Sequence, residues 1–197
     1  MIPDFSSYLH PYKRGLTAPQ MEINALVIGT YLRSIGWSFN AMAAALGNWE
    51  AECKLNPNLP TNKKFPANQT GAFGLPQWNP WGSRYGEYCR RNGIPITASD
   101  DNQAARIEHQ LAYHEWECRP GGGYWIPTQV NKYSWESWKR SQDSPELLAQ
   151  AYYWEYERSG SGAGNRPKLA RKWADFLKGK IHPPIWLLYK FKEVTRI

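Results

Sequence analysis

The chain has 197 residues, 11 Trp and 12 Tyr among them, and carries a formal net charge of +7 with an isoelectric point near 9.3. That length suits one domain with a substantial core, while an odd set of cysteines (Cys53, Cys89 and Cys118) with no Cys-x-x-Cys spacing argues against a disulfide framework or a zinc ribbon. The positive balance favours a polyanionic partner such as nucleic acid, anionic lipid or an anionic cell wall, and the aromatic excess favours a groove lined by ring faces.

Residues 1–16 read as an irregular extension. "MIPDFSSYLHPYKRG" lacks the apolar run of a signal peptide. A first helix is expected from Thr17, its N-cap, with Pro19 in the first turn and Gln20 at the capping-box position. Ile23, Leu26, Val27, Ile28, Tyr31 and Leu32 give it an apolar face, and Gly36 ends it. A second helix is expected over 38–53, where Met42, Ala45, Leu46, Trp49 and Cys53 follow helical spacing. Residues 54–80 are rich in Asn and Pro, and read as turns and short extended pieces with room for a small β-hairpin.

A short helix is expected over 81–92. A third clear helix covers 100–118, capped by Asp100 with Gln103 at its third position; Ile107, Gln110, Leu111, His114 and Cys118 form its stripe. "CRPGGGYWIP" breaks it. A Trp-rich helix around Trp135 and Trp138, a long helix from 143 or 144 to 157 with Pro145 in its first turn, and a last helix over 168–177 complete the pattern. The fold class expected is mainly α (α+β): one helical domain over 17–178 with an irregular, β-like excursion at 54–80, followed by an extension at 179–197. No stretch is long and apolar enough to span a membrane, and free thiols suit folding in a reducing cytoplasm.

The acid pair Glu50 and Glu52 ends the second helix. Two residues are about 200° of helical rotation, so the two side chains point to nearly opposite sides. Glu52 is expected beside the Leu46/Trp49/Cys53 face, and Glu50 on the solvent face as a surface charge. Burial against apolar surface, and a helix C-terminal end, would both raise a carboxyl pKa toward that of a general acid. No Asp or Glu then occurs until Glu87. Within that gap lies "GAFGLPQWNP". Its glycines Gly71 and Gly74 permit close backbone approach, Gln77 offers a donor and an acceptor, and Trp78 a stacking face.

The pattern G-N-x-x-x-E-x-x-x-N-P followed by G-x-x-G-L-x-Q-W resembles the lysozyme-like superfamily, including goose-type lysozymes and soluble lytic transglycosylases. It is most similar to the phage tail lysozyme family, through "GWSFNAMAAALGNWEAECKLNP", "LLAQAYYWEYERSG" and "RPKLARKWADFL". The resemblance covers about residues 22–178. It implies a lysozyme-like fold and a peptidoglycan-cleaving glycosidase acting on the bond between N-acetylmuramic acid and N-acetylglucosamine, with Glu52 as acid. It also implies Thr70, Gly71, Gly74, Leu75, Gln77 and Trp78 along the cleft floor. Tyr124 and Trp125, in the "GGGYW" loop, are expected at the rim.

A second carboxylate would have to come from Glu115 or Glu157. Otherwise water is held by neutral groups such as Gln69, Thr70 or Gln77, or one acid performs a lytic transglycosylase reaction through the substrate's own 6-hydroxyl. The resemblance implies a virion tail protein that opens the host wall at infection, with other tail proteins as partners. A cytoplasmic endolysin and a non-catalytic wall-binding or structural tail protein are the alternatives.

No cofactor or metal is expected. His109 and His114, five apart on a helix, do not share a metal-binding face, and HExxH is absent. The basic residues are scattered, and no nucleic-acid motif accompanies them.

Overall fold

The computed structural model describes residues 16–128, 132–158, 160 and 162–181. Helices dominate: α1 (Ala18–Ser34), α2 (Phe39–Cys53), α3 (Tyr85–Arg91), α4 (Ile107–Cys118), α5 (Trp135–Arg140), α6 (Pro145–Tyr152) and α7 (Arg166–Leu177). The expected hairpin at 54–80 reduces to isolated antiparallel bridges, Pro60 with Phe73 and Phe73 with Trp78. Most of the two terminal extensions, residues 1–15 and 182–197, lies outside the described residues. No helix among the described residues is long and apolar enough to cross a membrane.

Side-chain caps set most helix starts where the sequence places them. The Gln20 Oε1 accepts from Thr17 N at 2.9 Å before α1, Ser38 Oγ from Ala41 N at 3.0 Å in α2, and Ser144 Oγ from Leu147 N at 3.3 Å in α6. The region 100–118 differs. Asn102 rather than Asp100 is the cap: its Oδ1 accepts from Ala104 N and Thr97 N, and its Nδ2 donates to Asn58 Oδ1 at 2.9 Å. A 3-10 turn, Gln103–Ala105, therefore precedes α4. Asn102 prevails because it is buried with a partner in the 54–60 segment, whereas Asp100 is exposed. The helix expected over 144–157 also divides. Hydrogen bonding widens after Tyr152 into a π-turn, Tyr153–Glu157, which ends at Arg158 in the left-handed region (φ 53°).

The chain forms two compact units. One takes Glu52–Tyr113 with the chain up to Asn24, the other Ala25–Ala51 and the chain from His114 onward. In the first, Phe65, Phe73, Trp78, Trp81, Tyr85 and Tyr113 pack with Cys89, Ala104 and Ala105 around the 54–81 excursion. In the second, Trp37, Trp49, Trp125, Trp135, Trp138 and Tyr152 form an aromatic core around His114. Two of the ring N–H groups are paired within this unit: Trp49 Nε1 donates to Tyr152 Oη at 2.9 Å and Trp138 Nε1 to Leu148 O at 3.0 Å.

Gly47 lets α7 approach α2 backbone to backbone. A Cβ there would lie 2.5 Å from Ala170 N and 2.9 Å from Arg166 O. An alanine gains about 1 kcal/mol of helix propensity over glycine. The overlap is with backbone atoms, which cannot rotate away, and overpacking of this kind costs about 1–3 kcal/mol. Gly47→Ala is therefore expected to lower unfolding free energy despite the better helix former, as read from urea denaturation midpoints.

Glu155, in the π-turn, is fully buried. Its Oε1 accepts from Thr128 N at 3.4 Å and Tyr133 N at 3.3 Å, which pins the chain on both sides of 129–131. Burial outweighs those two donors and raises its pKa to about 7. The folded state thus holds a proton that the unfolded chain releases near pH 4.3. Stability from this group is present at low pH and falls as pH rises toward 7, by about 1.4 kcal/mol per unit. Glu155→Gln keeps the acceptor and cannot ionise. Its melting temperature relative to the native chain is expected to be higher at pH 8 than at pH 5.

Candidate active site

Glu52 sits one residue before the end of α2 and is half-buried. Directly after Cys53 the chain reverses through two consecutive left-handed residues, Lys54 (φ 55°) and Leu55 (φ 53°). Neither is glycine, so each costs roughly 1–2 kcal/mol of backbone strain. Asn24 Nδ2 holds the reversal from α1 by donating to Leu55 O at 2.8 Å, and Asn56 N donates to Cys53 O at 3.1 Å. Asn58 N then donates to Asn56 Oδ1 at 3.0 Å, which sets the path of the Asn-Pro-Asn segment.

The Gly-Leu-x-Gln loop is attached to this helix end at one residue, Leu75. The Cys53 thiol donates to Leu75 O at 3.3 Å, and Leu75 N donates to Gln110 Oε1 at 2.9 Å. Gln110 also donates through Nε2 to Pro57 O at 2.7 Å and Ala104 O at 3.0 Å. One buried amide from α4 therefore joins the Asn-Pro segment, the glycine loop and the 3-10 turn. The residue beside Glu52 completes the hold from α2. Gly74 is needed for this packing: a Cβ there would meet Trp78 at 2.6 Å and Gln110 Oε1 at 2.9 Å, and its φ is +85°.

Gln77, left-handed at φ 52°, spends its amide N–H groups on Leu59 O (3.0 Å) and Gly74 O (2.8 Å). Its side-chain carbonyl oxygen takes part in neither bond. Thr70, exposed, donates to Asn68 Oδ1 at 2.7 Å, and Gly71, also left-handed, packs on Thr61.

Trp78 corrects an expectation. It is 0% exposed, stacked on Tyr85 at 4.7 Å and met edgewise by Tyr113 at 5.2 Å, so it presents no sugar-stacking face and instead props the loop from beneath. Trp125 is likewise 8% exposed, inside the second unit's aromatic core, with Nε1 donating to Tyr133 O at 2.9 Å. Tyr124 beside it is half-buried. Two exposed rings in that unit are Trp116 and Trp154, at 42% and 38%.

The acid pair is a second correction. Glu50 is buried and held by the Lys172 ammonium of α7 at 2.8 and 2.9 Å. The face assigned to solvent is covered, because α7 packs there against Gly47. A carboxylate so neutralised is a structural ion pair. Glu52 is the more accessible of the two.

Other acids have engaged partners. Glu87 bonds Arg90 and Arg91 at 2.8 Å each, and those two guanidinium groups lower its pKa. Glu115, half-buried, accepts from Lys139 Nζ at 2.8 Å and Trp37 Nε1 at 2.7 Å, so its carboxylate is engaged by an ammonium and an indole. Glu157 lies half-buried at the end of the π-turn.

A strained, over-determined helix end that carries an acid, with a glycine loop fastened beside it in a mainly helical fold, defines a lysozyme-like protein. The phage tail lysozyme family matches residues 23–177, and the chain belongs to that family. It is also similar to Morphogenesis protein 1 of Bacillus phage B103, at 29% identity over 166 residues, which is 84% of this chain and 42% of that protein. The chain thus spans about two fifths of the length of that relative.

Gln110 was visible in the sequence only as a polar interruption of an apolar stripe. Replacing it by leucine leaves Leu75 N and Pro57 O buried without this partner, each at about 1–3 kcal/mol, while Ala104 O keeps the Tyr85 hydroxyl at 2.8 Å. Gln110→Leu is expected to lower the thermal midpoint sharply and to expose the 57–75 backbone in hydrogen-exchange measurements, with α7 unaffected.

Proposed function

We propose that the chain is a peptidoglycan-cleaving glycosidase in which Glu52 protonates the oxygen linking N-acetylmuramic acid to N-acetylglucosamine. The observation that carries this reading is the placement of Glu52. It is a half-buried acid at a helix end whose next residue fastens the Gly-Leu-x-Gln loop through Leu75 O. Membership of the phage tail lysozyme family supports the same chemistry. The cleft floor is then the backbone of Gly74 and Leu75 together with the Gln77 carbonyl oxygen. These polar groups recognise the acetamido and hydroxyl groups of the sugar, with Thr70 at the margin. The +7 charge suits an anionic cell wall.

The protein acts as a virion component that opens the wall at infection. The family's description and the relative's name as a morphogenesis protein favour this role over that of a late cytoplasmic endolysin. Other tail proteins are the partners of that role.

A specific observation favours a single-acid reaction. No carboxylate lies between Glu52 and Glu87, Glu87 is held by two arginines, and Glu115 by Lys139. In that route Glu52 gives its proton to the leaving oxygen. The resulting carboxylate takes the proton from the muramic 6-hydroxyl as that oxygen closes on C1, and a 1,6-anhydro ring forms. Glu157 is the described acid that would serve a hydrolytic route.

Glu52→Gln is expected to keep the melting temperature within a degree or two and to lose about 100- to 10,000-fold of the lytic rate, the share a general acid supplies. Full lysis by that variant would overturn Glu52 as the acid, whereas intact peptidoglycan after treatment with the native chain would mark a binding or structural tail protein. Mass analysis of muropeptides from purified peptidoglycan separates the chemistries. Anhydro ends indicate ring closure, reducing muramic ends hydrolysis, and cut stem peptides with intact glycan would sink both.

A further inference from the structure

In α4, His114, Glu117 and Cys118 stand at i, i+3 and i+4, and so share one helix face. They are 1%, 0% and 2% exposed. One donor atom from each lies within 4.8 Å of the other two, and His114 Nε2 is 3.9 Å from Cys118 Sγ. Two phenols border the trio. Tyr152 Oη lies 2.7 Å from His114 Nε2 and accepts from Trp49 Nε1, and the Tyr156 hydroxyl donates to the Glu117 carboxylate.

We propose that His114, Glu117 and Cys118 form a binding site for a divalent transition metal of the zinc class. An imidazole, a thiolate and a carboxylate are a borderline-soft donor set, which suits zinc rather than calcium or magnesium, whose ligands are oxygens. Tetrahedral zinc, with bonds of about 2.3 Å to sulfur and 2.0 Å to nitrogen, would separate those two atoms by roughly 3.5 Å, a few tenths less than observed. The Cys118 thiol proton is released to solvent as the metal–sulfur bond forms. A water or a bordering phenol oxygen fills the fourth position. The role is structural, because the ion would tie α4 to Tyr152 and Tyr156 on α6 and the π-turn. The sequence gives no such signal from His109 and His114. It is the one-turn spacing of His114 and Cys118, with Glu117 between, that brings the ligands together.

The test uses the full chain, dialysed against chelator and then titrated with Co²⁺ and with Zn²⁺. One equivalent of cobalt is expected to produce a near-ultraviolet thiolate-to-metal band that zinc abolishes, and zinc is expected to raise the melting temperature with its free concentration. Cys118→Ser should lose the band and weaken binding at least about 100-fold, whereas Cys89→Ser, in the other unit, should keep both. Circular dichroism of metal-free Cys118→Ser separates a lost ligand from a lost fold. If that variant is unfolded, His114→Gln provides the same comparison. Absence of the band and of the melting shift in the native chain would overturn the proposal, as would equal binding by folded Cys118→Ser. Neither readout depends on lytic activity.

Discussion

The backbone of Leu75 is the point on which the candidate site depends. Its carbonyl is held by the Cys53 thiol and its N–H by the Gln110 carbonyl oxygen. These are modest bonds singly, about 1 kcal/mol each net, but a buried backbone group left unpaired costs more than the bond returns. The loop can therefore leave that position only by stranding both groups. A chain segment with almost no regular structure is in this way held as firmly as a strand, and it is held to the residue next to Glu52.

Buried side-chain amides perform the task that β-ladders usually perform. Asn24 fixes the reversal after α2, Asn58 and Asn102 bond each other between the 54–60 segment and the 3-10 turn, and Gln110 joins three backbone strands of chain. An amide offers both donor and acceptor, so it can bridge irregular backbone where spacing excludes a regular ladder. Packing seals the arrangement. Trp78 lies beneath Gly74 where no side chain fits, and Tyr85 and Tyr113 close around it. The strain of Lys54, Leu55 and Gln77 in the left-handed region is sustained by this surrounding network.

Helix positions were legible because they rest on local rules: capping residues, apolar period and glycine stops. Where those rules gave a different answer, a long-range contact had won. Asn102 displaced Asp100 as a cap because Asn58 reaches it, 44 residues away in sequence. The acid pair shows the same limit. Helical geometry separates Glu50 from Glu52, but which side meets solvent is decided by α7, whose Lys172 lies 122 residues beyond Glu50. Aromatic residues misled for a related reason. A tryptophan beside glycines in a sequence suits a cleft and a core equally, and at Trp78 and Trp125 the core took it. Gln110 carried an unused signal: a polar residue on a mostly apolar stripe has to be paired, and its partner is the loop.

The same network bears on why one acid is enough to consider. A second catalytic carboxylate must be both close to the reacting carbon and ionised. The 54–81 excursion is built from amides, backbone and aromatic rings, and a free carboxylate inserted there would need its own desolvated partners. Gln110 would serve poorly as such a partner, because its N–H groups already bond Pro57 O and Ala104 O. The amides at the centre of the excursion thus offer a buried carboxylate no free donor. On the proposed reading Glu52 is the acid of this segment, and neutral acceptors such as the Gln77 carbonyl oxygen orient a hydroxyl nucleophile. An attacking oxygen that belongs to the substrate itself meets that constraint without any further side chain.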